Sequence, residues 1–271
     1  MVTTTVRHPA VAGQFYPRNA TSLLAEIKSF VDAAVEAIPA LGCVVPHAGY
    51  VYSGHVAGAV YARLQIPAHC IVLCPNHTGL GHPLSVMSDG AWETPLGTVP
   101  VDTEFAHSLL ARFPLLIDDA DAHRAEHAIE VQLPFLQSKR SQFTIVPIAI
   151  GTRQYEPLTE LGQAIAEVAA TMKERVLVLA SSDMNHYESD PVTRLKDHKA
   201  IDRILALDPR GLYDVVTSED ISMCGYGPTV AMLTATKNLG ATQAELIRYA
   251  TSGDVSGDRK MVVGYAGIAV S

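Results

Sequence analysis

The feature of the sequence that most constrains the fold is its alternation of short apolar runs with longer segments of helical periodicity. Strand-length apolar runs occur at 41–45, 70–74, 143–151 and 175–183. Apolar residues recur at helical spacing at 53–64, where Ser53 is a candidate N-cap, and at 102–113, 126–140, 157–173, 193–207 and 228–240. Continuous apolar strands that alternate with amphipathic helices predict an α/β fold with a mostly parallel central sheet covered by helices.

Nothing in the sequence divides residues 1–271 into smaller units. The chain has no internal repeat, low-complexity tract or linker, so we predict a single domain. The Gly and Pro residues of "GAWETPLGTVPVD" predict a hairpin. Two further strands are predicted at 244–254 and 260–270. The Gly/Asp-rich loop 251–258 between them would line a site, form a subunit contact or simply connect the strands.

The composition argues against several classes of partner. With 28 Asp and Glu against 20 Lys and Arg, the chain carries a net charge of −8 and has no dense basic cluster, which argues against nucleic acid and anionic membranes. No apolar run approaches the roughly 20 residues that cross a bilayer. The N-terminus lacks the apolar core of a secretory signal. We therefore expect a cytoplasmic protein whose four cysteines are reduced.

Polar residues follow three of the predicted strands. His47 follows the first strand, Asn76 and His77 follow the second, and Asp183 and His186 follow the fourth. A single loop histidine is usually a hydrogen-bonded turn residue. Ligands of open α/β sheets, however, bind outside the carboxyl ends of the strands, where these loops would meet. The pattern therefore predicts one shared site at that edge of the sheet.

Cys224 is the cysteine whose surroundings differ from an apolar strand. It precedes "GYGP", and Pro228 suits the first turn of the following helix. A thiol just before a helix N-terminus is expected to have a lowered pKa, which favours a nucleophile or a soft metal ligand. The alternative is a small buried residue, which is our interpretation of Cys43, Cys70 and Cys74.

His47, His77 and Cys224 together would form a set of two imidazoles and one thiolate. Structural zinc sites usually draw their ligands from closely spaced Cys and His pairs, whereas these residues are widely separated in the sequence. Ligands that only the fold brings together fit a catalytic or redox centre better. Imidazole and thiolate suit zinc, iron and copper, so the residue types do not select one metal.

A competing motif is "HRAEH", which matches the H-x-x-E-H pattern of inverted zinc peptidases. That mechanism needs both histidines on one helical face, with Glu126 as the base. The polar run before His123 predicts a loop, which places this residue ahead of the helix. In the alternative, Glu126, His127 and Gln132 belong to a polar helix start at the same edge of the sheet. Glu130 belongs there too unless its charge faces solvent.

The motifs resemble those of the Memo family, whose bacterial and archaeal members are called AmmeMemoRadiSam system protein B. The matching stretches are "RHPAVAGQFYP", "VPHAGYVYSG", "CPNHTG", "EHAIEVQLPFL", "SSDMNHY" and "CGYGP", in this order and over almost the whole chain. The resemblance implies the fold of the class III extradiol dioxygenases. It also implies a metal set of His47, His77 and Cys224, with Asp183 and His186 in the same pocket.

The resemblance also bears on chemistry and partners. Extradiol dioxygenases hold iron with two histidines and one carboxylate, and Cys224 corresponds to that carboxylate here. A thiolate would change the potential of the iron and favour softer metals, including copper. Eukaryotic Memo proteins are described as copper- or iron-binding redox proteins that bind phosphotyrosine peptides. The name of the prokaryotic members implies a radical S-adenosylmethionine protein as a partner.

The first functional hypothesis is a metal-binding redox or oxygenase-like protein. Iron or copper would be held by the two-His, one-Cys set, and the candidate catalytic residues are His186, Asp183 and His127. His186 would act as acid or base, and Asp183 would orient it or bind the metal.

Two other hypotheses stay open. One is zinc-dependent hydrolysis, with His186 or Asp183 as the base that activates water. The other is non-enzymatic binding of a small molecule or peptide in a vestigial dioxygenase pocket, with an apolar wall formed by Phe15, Tyr16 and Tyr50. The substrate, the metal and the oligomeric state stay open at this point.

Overall fold

The computed structural model of the chain describes residues 5–271. Its helices are α1 (Ala20–Phe30), α2 (Tyr50–Arg63), α3 (Thr103–Arg112), α4 (Leu133–Lys139), α5 (Tyr155–Ala169), α6 (Asp190–Leu205), α7 (Pro209–Ser218), α8 (Tyr226–Asn238) and α9 (Ser252–Ser256). Its strands are β1 (Val6–Arg7), β2 (Gly42–Val45), β3 (His69–Pro75), β4 (Leu84–Val86), β5 (Ala91–Thr94), β6 (Gly97–Pro100), β7 (Ile117–Asp118), β8 (Thr144–Ile150), β9 (Val176–Ser181), β10 (His186–Glu188), β11 (Ala244–Thr251) and β12 (Val262–Val270). Within this described part of the chain, no helix is long and apolar enough to cross a membrane.

A mixed sheet forms the centre of the fold. Its strands lie in the order β10-β12-β2-β9-β3-β8-β4-β7, and β11 also pairs with β12. The inner strands β2, β9, β3 and β8 are parallel to one another. Strands β12 and β4 are antiparallel to their inner neighbours β2 and β8. The predicted α/β fold with a helix-covered central sheet is confirmed, and its parallel part is the inner four strands.

A second, small sheet lies beside the first and has the order β1-β5-β6. Strands β5 and β6 form the hairpin predicted from the Gly and Pro residues of this region, with Trp92 opposite Val99. Strand β1 adds to this hairpin in parallel, which attaches the N-terminal segment to it.

Residues of the inner strands alternate between two apolar cores, one on each face of the central sheet. Ile71 and Leu73 of β3 pack into the core that includes α3, α5 and α8. Cys70, Val72 and Cys74 pack into the core that includes α1, α2 and α4. Because successive side chains of a strand point to opposite faces, a strand covered on both sides has the continuous apolar sequence seen here. Cys70 and Cys74 are free and buried, as predicted.

Helix boundaries differ from the sequence prediction in several places. Ser53 does not cap a helix: α2 begins at Tyr50, and the Ser53 hydroxyl donates to the Ala48 carbonyl at 2.9 Å. Of the predicted helix 126–140, only α4 is an α-helix. Pro134 lies in its first turn, where the missing backbone donor is tolerated, and just before α4 the chain forms a short 3₁₀ turn at Glu130–Gln132. Helix α6 begins earlier than predicted, and α1 and α7 were not predicted.

The Gly/Asp-rich loop between the last two strands contains the short helix α9. Thr251 and Asp254 form a capping box at its start. Arg194 of α6 binds the Asp254 carboxylate at 2.8 Å and the Asp190 carboxylate at 3.0 Å. These bonds attach the loop to α6, so it is more than a plain connection. Its role as a subunit contact stays a prediction.

A buried ion pair fastens the N-terminal segment to the rest of the domain. The guanidinium of Arg7 pairs with the Glu130 carboxylate, and both side chains are buried. The same carboxylate accepts the backbone N–H groups of Ala10 at 2.8 Å and Val11 at 3.0 Å and the Tyr16 hydroxyl at 2.7 Å. Glu130 therefore does not face solvent, and it determines the path of the chain toward Phe15.

Replacing Glu130 by Gln should lower the free energy of unfolding by about 3–5 kcal/mol, because the buried Arg7 guanidinium would lose its charged partner. Glu167→Gln is the matched control. It removes the carboxylate of the exposed Arg112–Glu167 pair and should cost at most about 1 kcal/mol. Urea unfolding followed by circular dichroism measures both values. Equal losses in the two variants would contradict the role assigned to Glu130.

Candidate metal centre

Loops at one edge of the sheet carry the residues that the sequence singled out. Strands β2, β9 and β3 are parallel neighbours, so their carboxyl ends lie side by side. His47 follows β2, His77 follows β3, and Asp183 and His186 follow β9. Cys224 reaches the same place from the loop before α8. All five side chains line one cavity.

His47, His77 and Cys224 present their ligand atoms to one another. One such atom from each residue lies within 4.8 Å of the other two, and the His47 Nε2 atom lies 3.2 Å from the Cys224 Sγ atom. Ligands held at about 2.0–2.3 Å from a tetrahedral metal lie roughly 3.5 Å apart, so small side-chain shifts would close this set around an ion. Two imidazoles and a thiol suit zinc, iron and copper. The donor set therefore fits a metal.

The hydrogen bonds of Ser181 determine the tautomer of His47. The Ser181 hydroxyl has one proton, which it donates to the Ala128 carbonyl oxygen at 2.7 Å. The His47 Nδ1 atom lies 3.0 Å from the same hydroxyl oxygen and must therefore donate to it. The lone pair of the imidazole is left on Nε2, which faces Cys224. Burial, and then the neighbouring His77, lower the pKa of His47 well below its usual range, so the ring is neutral at neutral pH.

Gln132 holds Ser181 in place. Its amide nitrogen donates to the Ser181 hydroxyl oxygen at 2.9 Å and to the Pro46 carbonyl at 3.0 Å. Its amide oxygen accepts the Tyr61 hydroxyl at 2.9 Å. Because a carbonyl can only accept, the Pro46 contact determines which way the amide points. Ser181 and Gln132 are both buried, so water does not compete for these bonds.

Glu126 determines the tautomer of His77 in the same way. Its buried carboxylate accepts the His77 Nδ1–H at 2.9 Å, the His77 backbone N–H at 2.7 Å and the Ala128 backbone N–H at 3.0 Å. Burial alone would raise the pKa of Glu126, but the hydrogen bond from His77 and the neighbouring imidazoles hold the pKa below its usual range. The ionised carboxylate leaves His77 Nε2 free as a ligand atom.

His127 lies beside the two candidate ligand histidines. Its ring stacks on that of His77 with centroids 4.7 Å apart and meets His47 edge-on at 5.4 Å. His77, Glu126 and His127 form a second set of donors close enough to hold an ion. Both Glu126 oxygens already accept hydrogen bonds, with which an ion in this set would compete. His127 lines the cavity, and its catalytic role stays a prediction.

Asp183 and His186 line the cavity with different partners. The Asp183 carboxylate accepts the backbone N–H of His47 at 2.8 Å, and burial raises the pKa of Asp183 to about 6. The His186 Nδ1–H donates to the Ser222 carbonyl oxygen at 2.8 Å, which leaves its Nε2 atom as a proton acceptor. Ser222 therefore orients His186, a role that the sequence had suggested for Asp183. The other role suggested for Asp183, as a metal ligand, stays a prediction.

The shared cavity has a volume of about 610 Å³, within the range of small-molecule sites. Phe15, Tyr187 and Tyr265 give it an aromatic wall. Tyr187 has a φ of 61°, a left-handed conformation that is strained for a residue other than glycine and recurs at functional sites. The predicted aromatic wall was right for Phe15 and wrong for Tyr16 and Tyr50. The hydroxyls of these two tyrosines donate to buried oxygens outside the cavity.

The lowered pKa expected for Cys224 was wrong for the metal-free chain. Helix α8 does begin just beyond it, with Gly225 as N-cap and Pro228 in the first turn. Burial nevertheless raises the pKa of the Cys224 thiol, and the neighbouring Asp183 raises it further. A partly buried thiol with a raised pKa loses its proton more readily when a coordinated metal replaces that proton. This environment favours a metal ligand over a nucleophile.

The "HRAEH" motif does not form the helical face that a zinc peptidase needs. His123 ends a 3₁₀ turn and is buried against Trp92. The residues between His123 and His127 are not helical, and only His127 lines the cavity. The two histidines therefore do not share a metal, and the peptidase interpretation is wrong.

Asp197 supports the loop that carries Asp183 and His186. Its carboxylate accepts the backbone N–H of Asn185 at 2.8 Å and the Tyr249 hydroxyl at 2.6 Å. Burial raises the pKa of Asp197 to about 7, although both hydrogen bonds act in the opposite direction. The folded chain therefore holds a proton on this group at pH values where the unfolded chain has lost it.

Ser181→Ala should weaken metal binding by about 10–100-fold, because the His47 Nδ1–H loses the acceptor that directs Nε2 toward Cys224. Competition with a chromophoric chelator for Zn²⁺, which is redox-inert, measures the dissociation constant. Ser85→Ala is the control, since Ser85 is an equally buried strand serine outside the site. Unchanged zinc affinity in Ser181→Ala would contradict the assigned role.

The pKa of Asp197 predicts a pH dependence of stability. Because the pKa rises from 3.8 to about 7 on folding, stability is lost as the pH rises between these values. The free energy of unfolding of the wild type relative to Asp197→Asn should fall by roughly 2–3 kcal/mol between pH 5 and pH 8. Urea unfolding measures it, with exposed Asp202→Asn on the same helix as the control. A difference that is flat or increases with pH would contradict the prediction.

Comparison with known proteins agrees with the motifs and the fold. The sequence profile of the family described as Memo-like protein matches residues 7–269. A MEMO1 family protein of Methanosarcina barkeri is 47% identical over 268 residues, which cover 98% of this chain and 100% of the relative. MEMO1 family proteins of Methanopyrus kandleri and Methanothermobacter thermautotrophicus are 44% and 42% identical. Their alignments cover 97% and 96% of this chain and 98% and 99% of those proteins. The chain therefore belongs to the Memo family.

Proposed function

We propose that this protein is a metal-binding redox or oxygenase-like protein, with iron or copper held by His47, His77 and Cys224. The observation that carries the proposal is that both imidazoles donate from Nδ1 to a buried acceptor, His47 to Ser181 and His77 to Glu126. Both Nε2 lone pairs are thereby left for a shared ion beside the thiol. Histidines that bind metals are typically oriented by a second hydrogen bond of this kind.

A bound ion would supply redox or Lewis-acid chemistry at the edge of the cavity. The surrounding side chains would do the remaining work. His186 would accept or donate a proton at Nε2, because Ser222 engages its Nδ1 proton. Asp183 would hold the His47 backbone, and through it the first ligand, in position. The aromatic wall would exclude water from a bound small molecule or peptide.

The Cys224 thiol determines which metals, and therefore which reactions, we propose for the centre. A soft thiolate in place of a carboxylate favours copper, zinc or a sulfur-ligated iron, so we do not propose catechol ring cleavage. Zinc-dependent hydrolysis is the second candidate. The observation that favours it is the free Nε2 atom of His186, which could accept a proton from a zinc-bound water. A radical S-adenosylmethionine protein as partner is a proposal that rests on the family resemblance alone.

Elemental analysis of anaerobically purified protein tests the proposal. The wild type should contain near-stoichiometric iron or copper, and His47→Ala and Cys224→Ser should each lose most of it while staying folded by circular dichroism. His55→Ala is the matched control, because His55 lies on α2 outside the cavity. It should retain the metal.

Each other result of the elemental analysis would favour a different function or ligand set. Zinc that is lost in the His47 and Cys224 variants would favour hydrolysis over redox chemistry. Metal that both variants retain would contradict the assignment of the ligands. A wild type that binds no metal, even after reconstitution, would overturn the proposal and leave ligand binding in a vestigial pocket.

A further inference from the structure

The shared cavity has a buried tyrosine in its wall that the candidate centre does not use. Tyr265 lies on β12, is 2% exposed and lines the cavity. Val263, on the same face of the strand, also lines the cavity and lies opposite His186 of β10. Strand β12 therefore supplies the wall beside His186, and Tyr265 is part of that wall.

Apolar neighbours hold the Tyr265 ring in place. The ring packs with Val56 of α2 and with Ala250 of β11, which lies directly opposite Tyr265 in the sheet. Ala48 packs against the same cluster and directly follows His47 in the chain. These contacts fix the ring beside the loop that carries the first candidate ligand.

The hydroxyl of Tyr265 differs from those of the other buried tyrosines. Tyr16, Tyr50 and Tyr61 each donate to a buried oxygen, at 2.7, 2.7 and 2.9 Å. Among residues 5–271, the Tyr265 hydroxyl has no hydrogen-bond partner, although the residue is as deeply buried as Tyr16 and Tyr50. Buried tyrosine hydroxyls normally find a partner, and one that does not points to a water, an ion or a ligand.

The proton of Tyr265 stays on the phenol oxygen, so the hydroxyl can donate. Burial raises the pKa of Tyr265, and the neighbouring Asp183 raises it further. The Asp183 carboxylate accepts the His47 backbone N–H at 2.8 Å, and His186 leaves its Nε2 atom as an acceptor. Tyr265 therefore adds a buried donor to a wall on which Asp183 and His186 present acceptors.

A molecule that enters the shared cavity needs such a donor, because it loses water there. The lining contains no lysine or arginine, so polar atoms that do not reach a bound ion depend on hydrogen bonds. An acceptor oxygen that is desolvated without a hydrogen bond is costly, and so is an unpaired buried hydroxyl. The Tyr265 hydroxyl and an acceptor oxygen of the bound molecule would satisfy each other.

We propose that Tyr265 positions the molecule that binds at the candidate metal centre, by donating a hydrogen bond to one of its oxygen atoms. The molecule binds the ion through a first polar group, at the coordination position that three protein ligands leave open. A second, separate acceptor oxygen reaches Tyr265. The inference rests on the proposed function, because the ion holds the first group, and it restricts the substrate to molecules that carry both groups.

Two matched pairs of carboxylic acids test the proposal on the full chain loaded with Co²⁺, whose visible absorption changes when a ligand joins the ion. Pyruvate and 4-oxopentanoate carry a ketone at different distances from the carboxylate, and propanoate and pentanoate are the same chains without it. Titration gives the four dissociation constants for the wild type, Tyr265→Phe and Tyr155→Phe. Tyr155→Phe is the control, because the Tyr155 hydroxyl also lacks a partner in the described chain but lies on α5, outside the cavity.

In the wild type, at least one keto acid should bind about fivefold or more tightly than its matched acid, because its ketone accepts a hydrogen bond from Tyr265. Tyr265→Phe should lose this preference, and Tyr155→Phe should keep it. The Co²⁺ content of all three proteins should be equal.

Urea unfolding separates a positioning role from a structural one. The free energy of unfolding of Tyr265→Phe should not fall, because the hydroxyl makes no hydrogen bond in the described chain. Tyr16→Phe is the comparison and should lower it, since the Tyr16 hydroxyl donates to Glu130. A loss of stability in Tyr265→Phe would indicate a structural partner, such as a buried water, and would contradict the inference.

A wild type without any preference for the keto acids would overturn the inference, and so would a preference that Tyr265→Phe retains. Either result in protein that binds Co²⁺ normally would leave the proposed metal centre standing. A wild type that binds no Co²⁺ would instead overturn both proposals. Failure of the inference is thereby distinguished from failure of the proposed function.

Discussion

The candidate centre depends on the single hydroxyl proton of Ser181. Because that proton is donated to the Ala128 carbonyl, the hydroxyl oxygen can only accept from His47, and the imidazole lone pair is fixed on Nε2. Glu126 imposes the same tautomer on His77 with an ionised carboxylate. Both acceptors are buried and held by further hydrogen bonds, so the two ring orientations are set before any ion arrives. The parallel strands bring the loops together, and the hydrogen bonds to Ser181 and Glu126 orient the Nε2 atoms of His47 and His77.

Cys224 adds a thiol whose burial disfavours its charged form. The pKa of the thiol is raised by burial and by Asp183, so the metal-free chain keeps the proton on sulfur. A metal that displaces this proton couples its own binding to pH, with affinity increasing as the pH rises. The raised pKa also makes the thiol a weaker nucleophile, although its side chain is only partly buried. The arrangement therefore favours a cation that gains a soft ligand in exchange for a proton.

The sequence predicted those parts of the fold and site that have a local pattern. The inner strands are covered on both faces, so their apolar runs were continuous and easily recognised. The positions of His47 and His77 at the site could be predicted because each residue comes just after one of these runs. Ser181 had no such signal, and Gln132 was placed at the same edge of the sheet without its partners, because a polar residue within or beside an apolar run does not show which group it will contact. Tertiary burial also overrode the local helix-dipole argument for Cys224. Helix α7 was missed because only a tight turn, with Leu207 at a φ of 52°, separates it from α6.

X-ray absorption at the metal K-edge tests the central claim most directly, because it reports the atoms bound to the ion in the intact protein. The account predicts one sulfur at about 2.3 Å and nitrogen ligands at about 2.0–2.1 Å, the distances typical of thiolate and imidazole ligands. The sulfur signal should disappear in Cys224→Ser. A wild-type spectrum with only nitrogen and oxygen neighbours, or a sulfur neighbour that persists in Cys224→Ser, would contradict the two-His, one-Cys centre.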